Sequence, residues 1–239
     1  MPNLLVAELK ERRIITNETL EFVLQRPSGF EFQAGQNVNL KLSELPFEDA
    51  RQGRRSLTIA SSPHESDLVF ATRLTGSGFK NTVLNGPMQE IEINGPRGKM
   101  LHDTSKPAVF IAGGIGVTPF KSMILEAFQA KEFAPITFFY SNKSLTDAAY
   151  HELFAELSEK NKELFDYVPT LTRPNSDIEW QGERGRIGAP LIQKYVDDFS
   201  AATFYVCGPP QMVDAVVEIL KNESVTEENI LSESFWGYK

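Results

Sequence analysis

The sequence predicts two architectures in one chain: a six-stranded antiparallel β-barrel, followed by a five-stranded parallel sheet flanked by helices. Three observations predict it. Short apolar and β-branched runs separated by Gly, Pro, Asn and Ser fill the first hundred residues. After Lys106-Pro107 the pattern changes, and buried-type strands alternate with helical periodicities. Two glycine turns in the second half, AGGIGVTP and CGPP, each join such a strand to a helix.

The first half carries six strand signals in order: 4–16 (LLVAELKERRIIT), 19–27 (TLEFVLQRP), 37–42 (NVNLKL), 55–62 (RSLTIASS), 67–74 (DLVFATRL) and 88–98 (MQEIEINGPRG). A short helix is expected near Phe79–Leu84. This spacing fits a small barrel, although a sandwich would be written in the same pattern. In the second half the strands are 108–114 (AVFIAGG), 136–142 (ITFFYSN), 166–172 (DYVPTLT), 203–210 (TFYVCGPP) and 229–235 (NILSESF). The helices between them are 119–131, 146–161, 189–196 and 210–222. Such alternation implies a parallel sheet with helices on both faces. The boundary falls in LHDTSKP, giving domains 1–102 and 103–239.

Composition narrows the function classes. The chain has 239 residues and a formal net charge of −8. That charge argues against nucleic acid, whose binding needs a basic face to displace counterions, and gives an anionic membrane nothing to attract. The one cysteine, Cys207, excludes an internal disulfide and a four-cysteine iron–sulfur cluster within these residues. His64, His102 and His151 lack ligand spacing, so no metal site is expected. With no secretory or spanning pattern, the expected location is the cytoplasm.

The turn around Gly113, Gly114 and Gly116 ends the first parallel strand, and Pro119 is expected to open the helix behind it. Glycine lets the backbone turn sharply and approach a ligand, and a helix start favours an anion such as a pyrophosphate. Strand-to-helix glycines also serve packing alone, so this turn by itself leaves both readings open. Cys207-Gly208-Pro209, with Met212 in the following helix, ends the fourth strand. In the commonest strand orders the first and fourth strands flank the point where the winding reverses, which is where ligands bind. A lone cysteine is often a small buried hydrophobe; its place before Gly208 at a strand end favours a site. In the first half, Arg54 and Arg55 stand at the mouth of a strand and can fork phosphate oxygens, although these residues by themselves favour a solvated charge pair in a loop. The stretch Thr75-Gly-Ser-Gly78-Phe79-Lys80 is a second phosphate cradle leading into a helix.

Taken in order, RSLTIAS, GSGFKN, GPRG, GGIGVTP, CGPP and ESFWGY resemble the ferredoxin–NADP reductase-like superfamily over nearly the whole chain. The resemblance implies that the barrel binds a flavin, usually FAD, and that the parallel-sheet domain binds NADPH or NADH. The family's Arg-x-Tyr-Ser/Thr motif is similar to Arg55-Ser56-Leu57-Thr58, with leucine where tyrosine usually packs on the flavin ring. By that match Arg55 holds the flavin pyrophosphate, Thr58 bonds near flavin N5, and Gly78, Phe79 and Lys80 lie beneath the same phosphates. Gly114-x-Gly116-x-x-Pro119 becomes the pyridine-dinucleotide turn, with Thr118 helping to order the ring pair and Cys207 placing the nicotinamide.

The same resemblance implies an enzyme, an NAD(P)H-dependent flavoprotein oxidoreductase. Its catalytic set is Thr58, Cys207 and Glu233, with Glu233 as a nearby polar or proton-handling group. Lys143 and Arg173, after the second and third parallel strands, lean the nucleotide choice toward NADPH. Phe235 is expected to cover the flavin face, ahead of Trp236 and Tyr238, with Gly237 as the bend. Electrons then leave for a separate carrier such as ferredoxin or flavodoxin, or for a small acceptor, and the chain is expected to be a monomer. Two alternatives stay open: a reductase that uses flavin as a diffusible substrate, and a non-catalytic nucleotide sensor.

Overall fold

The fold is that of a computed structural model, which describes residues 5–131, 133–174 and 179–236. The expected positions Gly237 and Tyr238 lie outside the described residues. The chain forms two compact units: Met1–Leu101 with Thr118–Gln129, and His102–Val117 with Ala130–Lys239.

The first unit is a six-stranded antiparallel sheet of β1 (Leu5–Thr16), β2 (Thr19–Gln25), β3 (Asn37–Leu42), β4 (Arg54–Thr58), β5 (Asp67–Arg73) and β6 (Glu90–Arg97), in the order β4-β3-β6-β1-β2-β5. β1 makes the corner: Leu5–Glu8 pair with β6, and the strand from Leu9 to Thr16 pairs with β2. The end strands meet again past β4, where Ala60 N–H donates to Val69 O (2.7 Å) and Val69 N–H to Ser61 Oγ (3.0 Å). That contact decides for a barrel over an open sandwich. Alternation sends Leu20, Phe22 and Leu24, Val38 and Leu40, and Ile91 and Ile93 into one core. The register partners Phe22 and Phe70 stack across it at 5.3 Å. The expected short helix is α1 (Gly78–Asn85), whose Phe79 and Val83 plug the same core.

The second unit is a six-stranded parallel sheet, one strand more than expected. It comprises β7 (Ala108–Gly113), β8 (Ile136–Asn142), β9 (Phe165–Leu171), β10 (Glu183–Arg184), β11 (Thr203–Gly208) and β12 (Ile230–Ser234), in the order β10-β9-β8-β7-β11-β12. The added strand, β10, is two residues long and too short for any periodic signal. Every residue of the central strands β7 and β11 is buried, whereas β12 at one edge is half-exposed. Winding runs from β7 outward to β9 and then from β11 to β12, so the switch point lies between β7 and β11, as expected.

Helix α2 (Val117–Ala130) follows β7, and α3 (His151–Lys160), α4 (Ala189–Tyr195) and α5 (Pro210–Asn222) complete the set. The pattern over 146–161 predicts a longer α3. Tyr150 sits at φ +62°, in the left-handed region, and a right-handed helix cannot pass through it.

Candidate functional sites: a glycine turn and a charged barrel pole

In the second unit, β7 and β11 lie side by side with Ala112 opposite Cys207, and their carboxyl ends are Gly113 and Gly208. What each glycine there does can be read from what a methyl group would meet. A Cβ at Gly113 would stand 2.4 Å from Met212 Sδ, and one at Gly116 would stand 2.4 Å from Cys207 O. At Gly208 it would meet Gly113 N at 3.1 Å. Three of the four glycines are therefore small so that two strand-to-helix turns can touch. Gly114 differs, with φ +52° and open space where a side chain would be. It alone leaves a backbone face that a ligand can approach closely.

Pro119 is the third residue of α2 and not its first. A 3₁₀ turn, Gly114–Gly116, runs straight into the helix, and Val117 N–H donates to Gly114 O and Ile115 O. Proline is tolerated within the first turn of a helix, where its fixed φ fits and its ring meets no preceding full turn. Thr118 is buried at the second position.

Cys207 is fully buried, and burial pushes its thiol well above the ordinary range, with Glu233 adding to the effect. A thiol so placed is not a nucleophile at neutral pH, and only its position can matter. Glu233 is its register partner on β12, half-buried, with its carboxyl raised by burial. Phe235 N–H donates to Gly208 O (2.8 Å), which ties the tail to the same strand end, while Trp236 is exposed. Pro209 precedes Pro210, the first residue of α5. Lys143 and Arg173, both exposed, are joined where Arg173 N–H donates to Lys143 O (2.7 Å), so two cations stand together past β8 and β9.

The first unit holds a charged pole around α1. Arg55 is 12% exposed and grips Asp49 through both nitrogens, Nη1 to Oδ1 at 3.0 Å and Nη2 to Oδ2 at 2.6 Å. Its guanidinium also lies over the Phe79 ring, 5.3 Å from the centroid. Asp49 accepts three backbone N–H groups besides: Phe79 at 2.9 Å, Arg51 at 2.9 Å and Gly53 at 3.3 Å. Arg55, with those donors, holds the Asp49 carboxyl far below the usual carboxylate range. Lys80 is buried, donates to Thr75 Oγ1 (2.9 Å), and has its pKa brought down to about 8 by burial and by the neighbouring Arg55, Arg51 and Arg73. Ser77 Oγ, at the start of α1, is buried without a hydrogen-bond partner.

These placements amend several expectations. Of the helix start expected beneath the flavin phosphates at Gly78, Phe79 and Lys80, the Phe79 N–H is taken by Asp49, a residue missed in the sequence. Gly78 is glycine because the backbone of Phe47 and Glu48 lies on it, with Glu48 O 2.2 Å from a would-be Cβ. Leu57 belongs to the barrel core and does not present a face for a ring. Ser56 lies on the opposite face of β4 from Arg55 and Leu57, since it pairs with Asn39 while they pair with the core residues Leu40 and Val38. Thr58 is buried at the strand end.

Residues 110–218 match a family model described as "Oxidoreductase NAD-binding domain". The reductase component DmpP of phenol 2-monooxygenase from Pseudomonas sp. (strain CF600) is 32% identical over 92% of this chain and 62% of its own length. The chain has the ferredoxin–NADP reductase-like fold. A ferredoxin NADP+ reductase from Neisseria gonorrhoeae, solved with bound FAD and NADP, shares the superfamily fold with a TM-score of 0.81. It is 19% identical, and the match covers 99% of this chain and 100% of that one. The ferredoxin reductase in carbazole 1,9a-dioxygenase has the same fold, with a TM-score of 0.82 at 22% identity over 98% of this chain and 71% of that one. The chain spans less than two thirds of the length of the curated relatives it matches.

That fold implies a flavin and a nicotinamide dinucleotide, and the residues here fit both. A buried lysine crowded by arginines, beside an unpartnered buried hydroxyl, is a donor set suited to a pyrophosphate. At the switch point the open face of Gly114 suits a second one. Among the described residues no group of three or more His, Cys, Asp or Glu could hold a metal ion, and no helix is long and apolar enough to cross a membrane.

Proposed function

We propose that the chain is an NAD(P)H-dependent flavoprotein oxidoreductase that holds FAD in its barrel unit and NADPH or NADH in its parallel-sheet unit. The observation that carries this is the presence of one anion-seeking site per unit, the Lys80 pole and the Gly114 turn. Arg55, Lys80 and Ser77 hold the flavin phosphates. Gly114 lets the dinucleotide backbone come close, and Cys207 and Glu233 line the strand ends beside it. The cofactors supply the redox chemistry, the nicotinamide giving up a hydride and the flavin storing its electrons. The protein's part is to bind, orient and exclude water. Glu233, its carboxyl raised by burial, holds a proton more readily than a solvated carboxylate does.

The 239 residues contain one cysteine and so cannot ligate a four-cysteine cluster. Electrons therefore pass to a group outside these residues, which we assign to a separate carrier such as ferredoxin or flavodoxin. The likeness to an oxygenase reductase component supports that class of partner. Lys143 and Arg173 support a preference for NADPH, whose extra phosphate meets their paired charges.

A second reading, in which flavin comes and goes as a substrate, is favoured by Asp49. This carboxylate already occupies Arg55 and the Phe79 N–H, which weakens the grip on a resident flavin. The visible spectrum of purified protein separates the two. A retained yellow chromophore bleached by NADPH supports the first reading, and loss of colour on desalting with intact flavin turnover supports the second. Protein that neither binds nor turns over flavin sinks both. Arg55→Ala should lower flavin content far more than Arg54→Ala, since a charge-assisted contact is worth roughly 1.5–3 kcal/mol and a solvated arginine little. Equal flavin content in the two variants would remove Arg55 from the site.

A further inference from the structure

Strand β1 turns an arginine toward the barrel core. Ala7 and Leu9 face that core, and unbroken alternation would send Glu11 there next and Arg12 outward. The pairing with β2 instead shifts register between Leu9 and Glu11, setting Leu9 opposite Leu24, Glu11 opposite Val23 and Arg12 opposite Phe22. Leu24 and Phe22 are core residues, and partners across an antiparallel ladder project to the same side. The shift therefore brings Arg12 inward and leaves it half-buried, the re-aiming of a side chain that a bulge produces. Among the described residues Arg12 forms no ion pair.

Its guanidinium goes to a helix end. Arg12 Nη1 donates to Val83 O and to Gly86 O, each at 2.8 Å, where α1 stops. That helix has no basic residue in its last turn, and Gly86 ends it in an extended conformation. Arg12 thus supplies from another strand the cation that unpaired terminal carbonyls and the helix dipole favour. The opposite end of α1 is the charged pole. There Asp49 takes the Phe79 N–H, Lys80 donates to Thr75 Oγ1, and Ser77 Oγ stands buried without a hydrogen-bond partner. Between the two ends lie eight residues, a rod of about 12 Å. Phe79 and Val83 seat this rod in the core by apolar packing, which has no direction of its own. Asp49 and Arg12 add directional bonds, one at each end, so a slip at the Arg12 end would carry Lys80 and Ser77 with it.

We propose that Arg12 is a positioning residue for the flavin phosphates, setting from the far end of α1 the height and rotation at which Lys80 and Ser77 are presented. It acts through the helix and touches no ligand, as a supporting shell does for a binding site. The inference rests on the flavin site of the oxidoreductase reading. The test is a double-mutant cycle on FAD affinity, read by fluorescence titration of the full chain freed of flavin. Arg12→Met keeps the stem and removes the fork, and should weaken FAD about tenfold, the size of one charge-assisted contact. Beside Lys80→Met the same change should cost about threefold or less, because most of its route to the phosphates is gone, whereas independent sites would add. Arg12→Lys keeps a cation at the helix end and should lose about threefold alone and almost nothing beside Lys80→Met, which carries the test if Arg12→Met does not fold. An equal loss in both backgrounds makes Arg12 a general prop of the fold and overturns the assignment, as does no loss in either. Wild-type protein that binds no FAD overturns the flavin reading itself, and the role of Arg12 with it.

Discussion

The glycine turn of the parallel sheet and the charged pole of the barrel are both suited to an anion, but they are made in opposite ways. The turn is made by leaving side chains out. Gly113, Gly116 and Gly208 exist so that two backbone segments can touch, and the space left over sits at Gly114. The pole is made by crowding charged side chains together. Arg55, Lys80 and Asp49 constrain one another, and the pKa of Lys80 falls to about 8 partly because Arg55, Arg51 and Arg73 surround it. Sites made by omission should fail sterically and without regard to pH. Sites made by charge should fail electrostatically and with it.

The largest expected effect tests the charged side. Asp49→Asn leaves Arg55 buried without its counter-charge, and breaking such a pair costs roughly 3–5 kcal/mol. The pH dependence follows from the depressed Asp49 carboxyl. Its stabilisation is complete above the unfolded value of about 3.9 and is lost as pH falls toward the much lower folded value. Urea melts of wild-type protein should therefore weaken below about pH 4, and the variant should lack that component. Identical acid profiles would place no stability in the pair.

Next comes the steric side. Gly116→Ala drives a methyl against the Cys207 carbonyl, which is backbone and cannot swing away. Overpacking of this kind costs roughly 1–3 kcal/mol, at every pH alike. A denaturation midpoint equal to wild type would show the two turns to be looser than described. Gly114→Ala sharpens the contrast within the same turn. It meets no atom and carries only the strain of φ +52°, about 1 kcal/mol. Its main effect should appear in the Michaelis constant for the nicotinamide nucleotide, with the melting temperature nearly held. If stability falls more than affinity, Gly114 serves the fold and not the ligand.

The smallest effect belongs to exposed cations. Lys143→Ala or Arg173→Ala should each raise the Michaelis constant for NADPH roughly two- to fivefold, the range of a solvated charge contact, and leave NADH nearly unchanged. Equal effects on both nucleotides would dismiss the phosphate preference.

How much was legible in the sequence follows the same division. Strand and helix positions were, because β7 and β11 are unbroken apolar runs and the barrel strands alternate with period two. The turn around Gly114 was, because glycine is the residue that omission requires. Asp49 was not. DARQG between Asp49 and Gly53 reads as a polar turn, and Gln52 and Gly53 do take positive φ. Nothing local reveals that its carboxylate reaches Phe79, thirty residues on. The inward face of Leu57 was hidden for a related reason, since a motif match fixes residue types and register alone decides which side of the strand they take. β10 lies below the length at which any period can be detected.

The membership of α2 changes what can be exchanged between relatives. Thr118–Gln129 cluster with the barrel unit, although the strand before them belongs to the other. Lys121 Nζ donates to Ala60 O (3.0 Å) and Ser122 Oγ to Ser61 O (2.6 Å), just where the barrel's end strands meet. A barrel excised at residue 101 therefore loses those two donors and exposes the Ala60 and Ser61 carbonyls they satisfied. A chimaera made at the obvious boundary would pair one parent's barrel with the other parent's helix. Grafts that carry residues 118–129 along with the barrel keep donor and acceptor from the same parent. During synthesis, too, the barrel waits for its last segment until the first strand of the following unit has already emerged.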